Sequence, residues 1–104
     1  MFGLFNRIPS ISTSELAGKL GKNLILLDVR TPGEYRGGHI ASAKNVPLNK
    51  IADYRQKETQ PVYVICQSGM RSKQAARILK QKGYQVINVT GGMNRWTGPT
   101  RGGK

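Results

Sequence analysis

Two continuous apolar runs organise the chain. Asn23-Leu24-Ile25-Leu26-Leu27-Asp28-Val29 and Pro61-Val62-Tyr63-Val64-Ile65-Cys66 are bounded by turn-forming or polar residues, and their unbroken hydrophobicity predicts strands buried on both faces of a parallel sheet. Val86-Ile87-Asn88-Val89 predicts a third strand, and Lys44-Asn45-Val46 a short one stopped by Pro47. Elsewhere the spacing is helical. Ser12-Thr13-Ser14-Glu15 predicts a capping box, followed by Leu16 and Leu20 on one face and Gly21 as the stop. A weaker helical stretch covers 48–55. The clearest helix covers about 71–82, where Ala75, Ile78, Leu79 and Lys82 share a face and Gly83 ends the run. Thr31-Pro32-Gly33 and Gly37-Gly38-His39-Ile40 predict a break and a tight loop, and Gly91-Gly92 a turn into a short segment at 93–96. Residues 1–11 read as a lead-in, 12–97 as one domain and 98–104 as a flexible basic tail.

Strands alternating with helices predict an α/β fold: a small, mainly parallel sheet with helices on both faces. In such sheets ligands bind beyond the C-terminal ends of the strands. Length agrees, since 104 residues with 38% hydrophobic composition enclose one modest core and leave no room for a second ordinary domain. No run has the roughly 18 to 20 apolar residues of a membrane span, and the opening Met1-Phe2-Gly3-Leu4-Phe5-Asn6-Arg7 is too short for a secretory leader. One cysteine cannot form an internal disulfide, and a solitary thiol suits a reducing, cytoplasmic setting.

Charge widens the set of partners without choosing among them. Seventeen Lys and Arg against five Asp and Glu give a formal charge of +12, a field able to steer a small anion, an acidic protein or RNA. The basic residues are spread along the whole chain, as on a solvated surface. The aromatics are scattered too, which argues against a base-stacking platform for nucleic acid.

The candidate chemistry sits at the end of the second apolar run. Cys66 is followed by the glycine-bearing Gln67-Ser68-Gly69-Met70 and then by Arg71-Ser72, which open a helix. Several backbone N–H groups converge there, the helix N-terminus adds partial positive charge and Arg71 a full one, so the expectation is a lowered Cys66 pKa and a nucleophilic thiolate. Gly69 lets the backbone take a conformation that other residues adopt at a cost. The same local pattern also describes an ordinary buried thiol finishing a strand, with Arg71 as a solvated residue and Ser72 as a plain cap. One Cys and one His do not make a zinc site, and neither metal nor other cofactor is implied. Trp96 reads as a packing aromatic.

Three stretches together resemble the rhodanese family, from about residue 12 to 96. They are Asp28-Val29-Arg30-Thr31-Pro32-Gly33-Glu34-Tyr35 continuing through Gly38-His39-Ile40, Ala43 and Asn45-Val46-Pro47; then Cys66-Gln67-Ser68-Gly69-Met70-Arg71-Ser72; then Gly83-Tyr84, Val89, Gly91-Gly92 and Trp96. The resemblance implies a rhodanese-like three-layer fold and a sulfurtransferase. Cys66 resembles the family's sulfur-carrying nucleophile, and Gln67, Ser68, Gly69, Met70 and Arg71 the loop that cradles its persulfide. The loop has six residues from Cys66 to Arg71, as in sulfur-transferring members, whereas phosphatases of this fold have one more. Asp28, Arg30, Glu34 and His39 are expected as a bracing network around the loops, supported by Ser72. Partners implied are a small sulfur-containing anion, a low-molecular-weight thiol such as glutathione, or an acidic or thiol-bearing protein such as thioredoxin. A non-catalytic binding module of the same fold is the alternative from another class.

Overall fold

In a computed structural model, which describes residues 7–104, the apolar run before Cys66 becomes strand β4 (Val62–Ile65) at the centre of a five-stranded sheet. Its neighbours are β2 (Ile25–Asp28) and β5 (Val86–Val89); β3 (Lys44–Asn45) lies outside β2 and β1 (Ser10–Ile11) outside β5. Every pairing is parallel, giving the order β1-β5-β4-β2-β3. Alternate residues of β4 go to opposite faces. Val62, Val64 and then Cys66 pack with Ala75, Ala76 and Leu79 of α3 (Met70–Gln81) and with Ile51 of the 3₁₀ helix (Leu48–Asp53). Tyr63 and Ile65 pack on the other face with Leu16 of α1 (Thr13–Ala17), Tyr35 of α2 (Pro32–Arg36) and Met93 of α4 (Gly92–Arg95). Both faces are covered, so the molecule is a three-layer α/β fold, and the central strands are buried as an unbroken apolar run requires.

This order creates the site. From β2 the chain goes to β3 on one side, and from β4 to β5 on the other, so the C-terminal ends of β2 and β4 flank the point where strand order reverses. A crevice opens at such a point. Cys66 follows β4 there, and Val29 and Arg30 follow β2.

The structure departs from the sequence-based expectations at five places. Ser12 and Glu15 do form the capping box, but α1 ends at Gly18 rather than Gly21; a glycine inside a helix costs about 1 kcal/mol. Thr31-Pro32-Gly33-Glu34, expected as a break, is the first turn of α2, with Thr31 and Glu34 in a second capping box and proline at the helix start. The stretch from 48 is 3₁₀ and stops at Asp53. The lead-in contains β1, too short to show periodicity, which pairs Ser10 with Asn88 and Ile11 with Val89. In the segment expected as a flexible tail, Arg101 and His39 exchange backbone hydrogen bonds of 2.8 and 2.9 Å, and the Gly103 N–H donates to Arg36 O. The leader expectation falls mostly on residues 1–6, which lie outside the described residues. Among the described residues, no helix is long and apolar enough to cross a membrane.

Candidate active site

Cys66 is fully buried. The Gly69 N–H donates to its Sγ at 2.9 Å, and Sγ lies 3.4 Å from Ser72 Oγ, which itself donates to Gly69 O. Gly69 has φ +108, the left-handed region, and this turns its N–H back towards the sulfur at the start of α3. Burial alone pushes the Cys66 thiol up. The Ser72 hydroxyl and the N–H groups of Ser72, Gly69 and Ser68 outweigh that, and the thiol stands below its usual value. Hydrogen-bond donors converging on one sulfur favour the anion.

The loop is held from beneath by α4. Met93 N–H donates to Cys66 O at 2.8 Å and Asn94 N–H to Gln67 O at 2.9 Å, so two loop carbonyls point away from the sulfur. This needs Gly92: a Cβ there would lie 2.2 Å from Cys66 O and 2.8 Å from the Gln67 carbonyl, and its φ is +56. The Gln67 side chain spans the site, accepting from Arg30 and donating to Asn94 Oδ1. Gly92 and Asn94 are structural partners that the sequence reading missed. The Gly91-Gly92 doublet marks a turn, but its contact with Cys66 exists only in three dimensions.

The four residues expected as one bracing network occupy three places. Asp28 is buried and takes three hydrogen bonds to Arg30 side-chain nitrogens and one from its N–H; Arg30 also reaches Gln67 Oε1 and Gly38 O. This pair ties the end of β2 to the Cys66 loop. His39 is buried, stacked on the Tyr35 ring with centroids 3.6 Å apart, and its Nδ1 is 2.7 Å from Tyr35 O, an arrangement that makes Nδ1 the protonated nitrogen. Glu34 leaves the group altogether. Placed by α2 beside the start of α3, it binds Arg71 through two bonds of 2.7 and 2.9 Å. Arg71 holds the Glu34 carboxyl at about 2, against 4.5 ordinarily. Glu34 in turn raises Arg71, with a smaller contribution from Cys66. Arg71, expected to add a full positive charge near the thiolate, also pairs with a carboxylate, while Met70 beside it is 72% exposed. No set of three or more His, Cys, Asp or Glu among the described residues could hold a metal ion.

Residues 12–99 match the family described as Rhodanese-like domain. YrkF of Bacillus subtilis is 40% identical over 98 residues, covering 89% of this chain and 53% of that protein. With YqhL of the same organism, of which 65% is covered, the chain spans less than two thirds of these relatives. A protein of Allochromatium vinosum named sulfurtransferase is 36% identical over 97 residues, with 89% of each chain covered. A rhodanese-like domain protein from Staphylococcus aureus has a crystal structure that superposes with a TM-score of 0.85 at 32% identity, covering 93% of this chain and all of that one.

Proposed function

Since the chain belongs to the rhodanese-like domain family, whose relatives of similar length include a named sulfurtransferase, we propose that it transfers sulfane sulfur through a persulfide on Cys66. The observation that carries this reading is a buried sulfur that accepts from the Gly69 N–H at 2.9 Å and lies 3.4 Å from the Ser72 hydroxyl, at the N-terminus of α3. Such donors stabilise an anionic sulfur before, during and after transfer, as an oxyanion hole does for oxygen.

The Cys66 thiolate attacks the outer sulfur of a donor such as thiosulfate or another persulfide. The new S–S bond forms on Cys66 while the donor's S–S bond breaks, and the donor's remainder, sulfite in the case of thiosulfate, leaves with the electron pair. An acceptor, cyanide or a thiolate, then attacks the terminal sulfur of the Cys66 persulfide. That S–S bond breaks and its electron pair returns to Cys66, so the cycle needs no outside oxidant or reductant. The acceptor thiol comes from another molecule, because the chain has one cysteine. The Asp28–Arg30 pair acts as a positioning unit, holding Gln67 and with it the loop.

Intact mass after incubation with thiosulfate tests the reading. Native protein gains the mass of one sulfur, cyanide removes it, and Cys66→Ser gains none. A native protein that stays unmodified by both thiosulfate and a low-molecular-weight persulfide defeats the proposal.

A further inference from the structure

The chain carries a formal charge of +12, yet its sulfur loop is bordered by two balanced ion pairs. Arg30, whose side chain reaches Gln67, is neutralised by Asp28, and Arg71, the one charged side chain between Cys66 and Ser72, is bound by Glu34. Two of the five acidic side chains in the sequence stand at these two arginines. The pairs differ in burial. The side chains of Arg30 and Asp28 are 4% and 0% exposed, those of Arg71 and Glu34 34% and 35%, so the second pair is the one that an incoming molecule can meet. Glu34 is fixed where it stands. Its Oε1 accepts from the Thr31 N–H at 2.9 Å as half of the α2 capping box and from Arg71 Nη1 at 2.7 Å, while its Oε2 accepts from Arg71 Nη2 at 2.9 Å. This two-pronged bond occupies the fork with which an arginine grips an oxyanion. Arg71 also feels the sulfur: Glu34 is the main cause that raises it, and the charge of Cys66 adds to it. Arg71 lines a cavity with Val29, Pro47 and Leu48, after β2 and β3, whereas Lys73, the next cation along α3, lines one with Ser10, Asn88 and Thr90 by β1 and β5.

We propose that Glu34 is a specificity-determining residue: by sharing the charge of Arg71 it makes the site discriminate against doubly charged sulfur donors and favour donors that carry no charge beyond their reacting sulfurs. The inference rests on the Cys66 persulfide reading above. Thiosulfate brings a dianion to the Cys66 thiolate. Cys66 Sγ bonds to its outer sulfur, the donor's S–S bond breaks and sulfite leaves with the electron pair, so the charge on the sulfonate oxygens has to be met by a cation that a fixed carboxylate already holds. A persulfide R–S–S–H reacts by the same exchange: Cys66 Sγ bonds to the terminal sulfur, which keeps its proton, and R–S leaves as a thiolate with the electron pair. Charge then lies on sulfur alone, where the Gly69 N–H and the start of α3 receive it. The field of the whole molecule draws anions in, and Glu34, acting through Arg71, sorts them at the loop.

The test compares two donors at one ionic strength, thiosulfate and the persulfide of 2-mercaptoethanol, whose body is uncharged. Sulfur loading is followed by intact mass in quenched single turnovers over a range of donor concentrations. The expected result is that Glu34→Gln lowers the half-saturating concentration of thiosulfate several-fold and leaves that of the persulfide largely unchanged. The double variant Glu34→Gln/Arg71→Gln loses this gain. Loss of a merely bracing contact would weaken loading from both donors, so a selective gain separates the two roles. No gain in Glu34→Gln, an equal change for both donors, or a gain that survives in the double variant overturns the proposal. Binding supplies a readout independent of sulfur transfer. Thiosulfate titrated against the Gly69 amide resonance should bind several-fold more tightly to Cys66→Ser/Glu34→Gln than to Cys66→Ser, and equal binding, or none to either, overturns the role of Glu34. A native protein that loads from neither donor defeats the persulfide reading, and the titration then decides on Glu34 by itself.

Discussion

Ser72 has one hydroxyl proton and two uses for it. The hydroxyl donates to Gly69 O at 3.1 Å while the Cys66 thiol donates to the hydroxyl oxygen at 3.4 Å. When Sγ loses its proton, the same hydroxyl turns to the thiolate, a charge-assisted bond stronger than the one given up. Ser72→Ala therefore moves the thiolate titration to higher pH, as read from the pH dependence of alkylation by iodoacetamide; an unmoved midpoint would leave the stabilisation to the backbone N–H groups alone. Glu34 titrates in the opposite setting, on a surface ion pair. Its folded value of about 2 is below the ordinary 4.5, so between these values the unfolded chain binds more protons. Its contribution to stability is complete above about pH 4.5 and disappears as the pH falls towards 2. With the two side chains 34% and 35% exposed, screening limits the pair to about 1 kcal/mol or less. Urea melts should show Glu34→Gln less stable than the native protein by that order at neutral pH, and the two curves should converge under strong acid.

Elements transmit these residue effects because each is short and firmly stopped. α4 has four residues, yet it positions two carbonyls of the Cys66 loop, and Gly92 is the contact. Gly92→Ala should cost more than the about 1–3 kcal/mol of a residue held in a sparsely populated conformation, since its Cβ also meets Cys66 O. Thermal melting would show that loss, and mass spectrometry would show loss of sulfur loading along with it. Thr31→Ala removes the cap of α2 and should cost about 1 kcal/mol, with Glu34 less well placed for Arg71. The strands β2, β4 and β5 were legible because continuous burial leaves a continuous apolar run, and α3 because its buried face recurs at helical spacing. α2 left a legible signal as well: Thr31-Pro32-Gly33-Glu34 has the same cap spacing as Ser12-Thr13-Ser14-Glu15, but the Pro-Gly pair reads as a turn. The two-residue β1 carries no pattern, since its pairing comes from β5. Cys66, Gly69 and the loop were visible as a motif. The Glu34–Arg71 pair and the hold of α4 on the loop were not, because they join residues 37 and 27 positions apart by contacts that no local spacing encodes.

At the scale of the molecule, an all-parallel sheet needs both faces covered and its edges closed. Residues beyond the family-matched region run alongside the loop after α2, with Arg101 paired to His39. Deleting residues 100–104 should speed hydrogen exchange at the His39 amide and leave the Val64 amide in β4 slow; equal protection in both forms would show that the pairing does not persist in solution. The same architecture leaves the Cys66 thiol with no exposed surface. Two copies cannot bring their Cys66 atoms together, so air oxidation does not staple them into dimers. On the proposed persulfide the outer sulfur lies about 2 Å beyond Cys66 Sγ, so a partner too bulky to touch the thiol meets that atom first. On that reading, what the protein shows to bulky neighbours is its cargo: loaded, it becomes visible to their thiols.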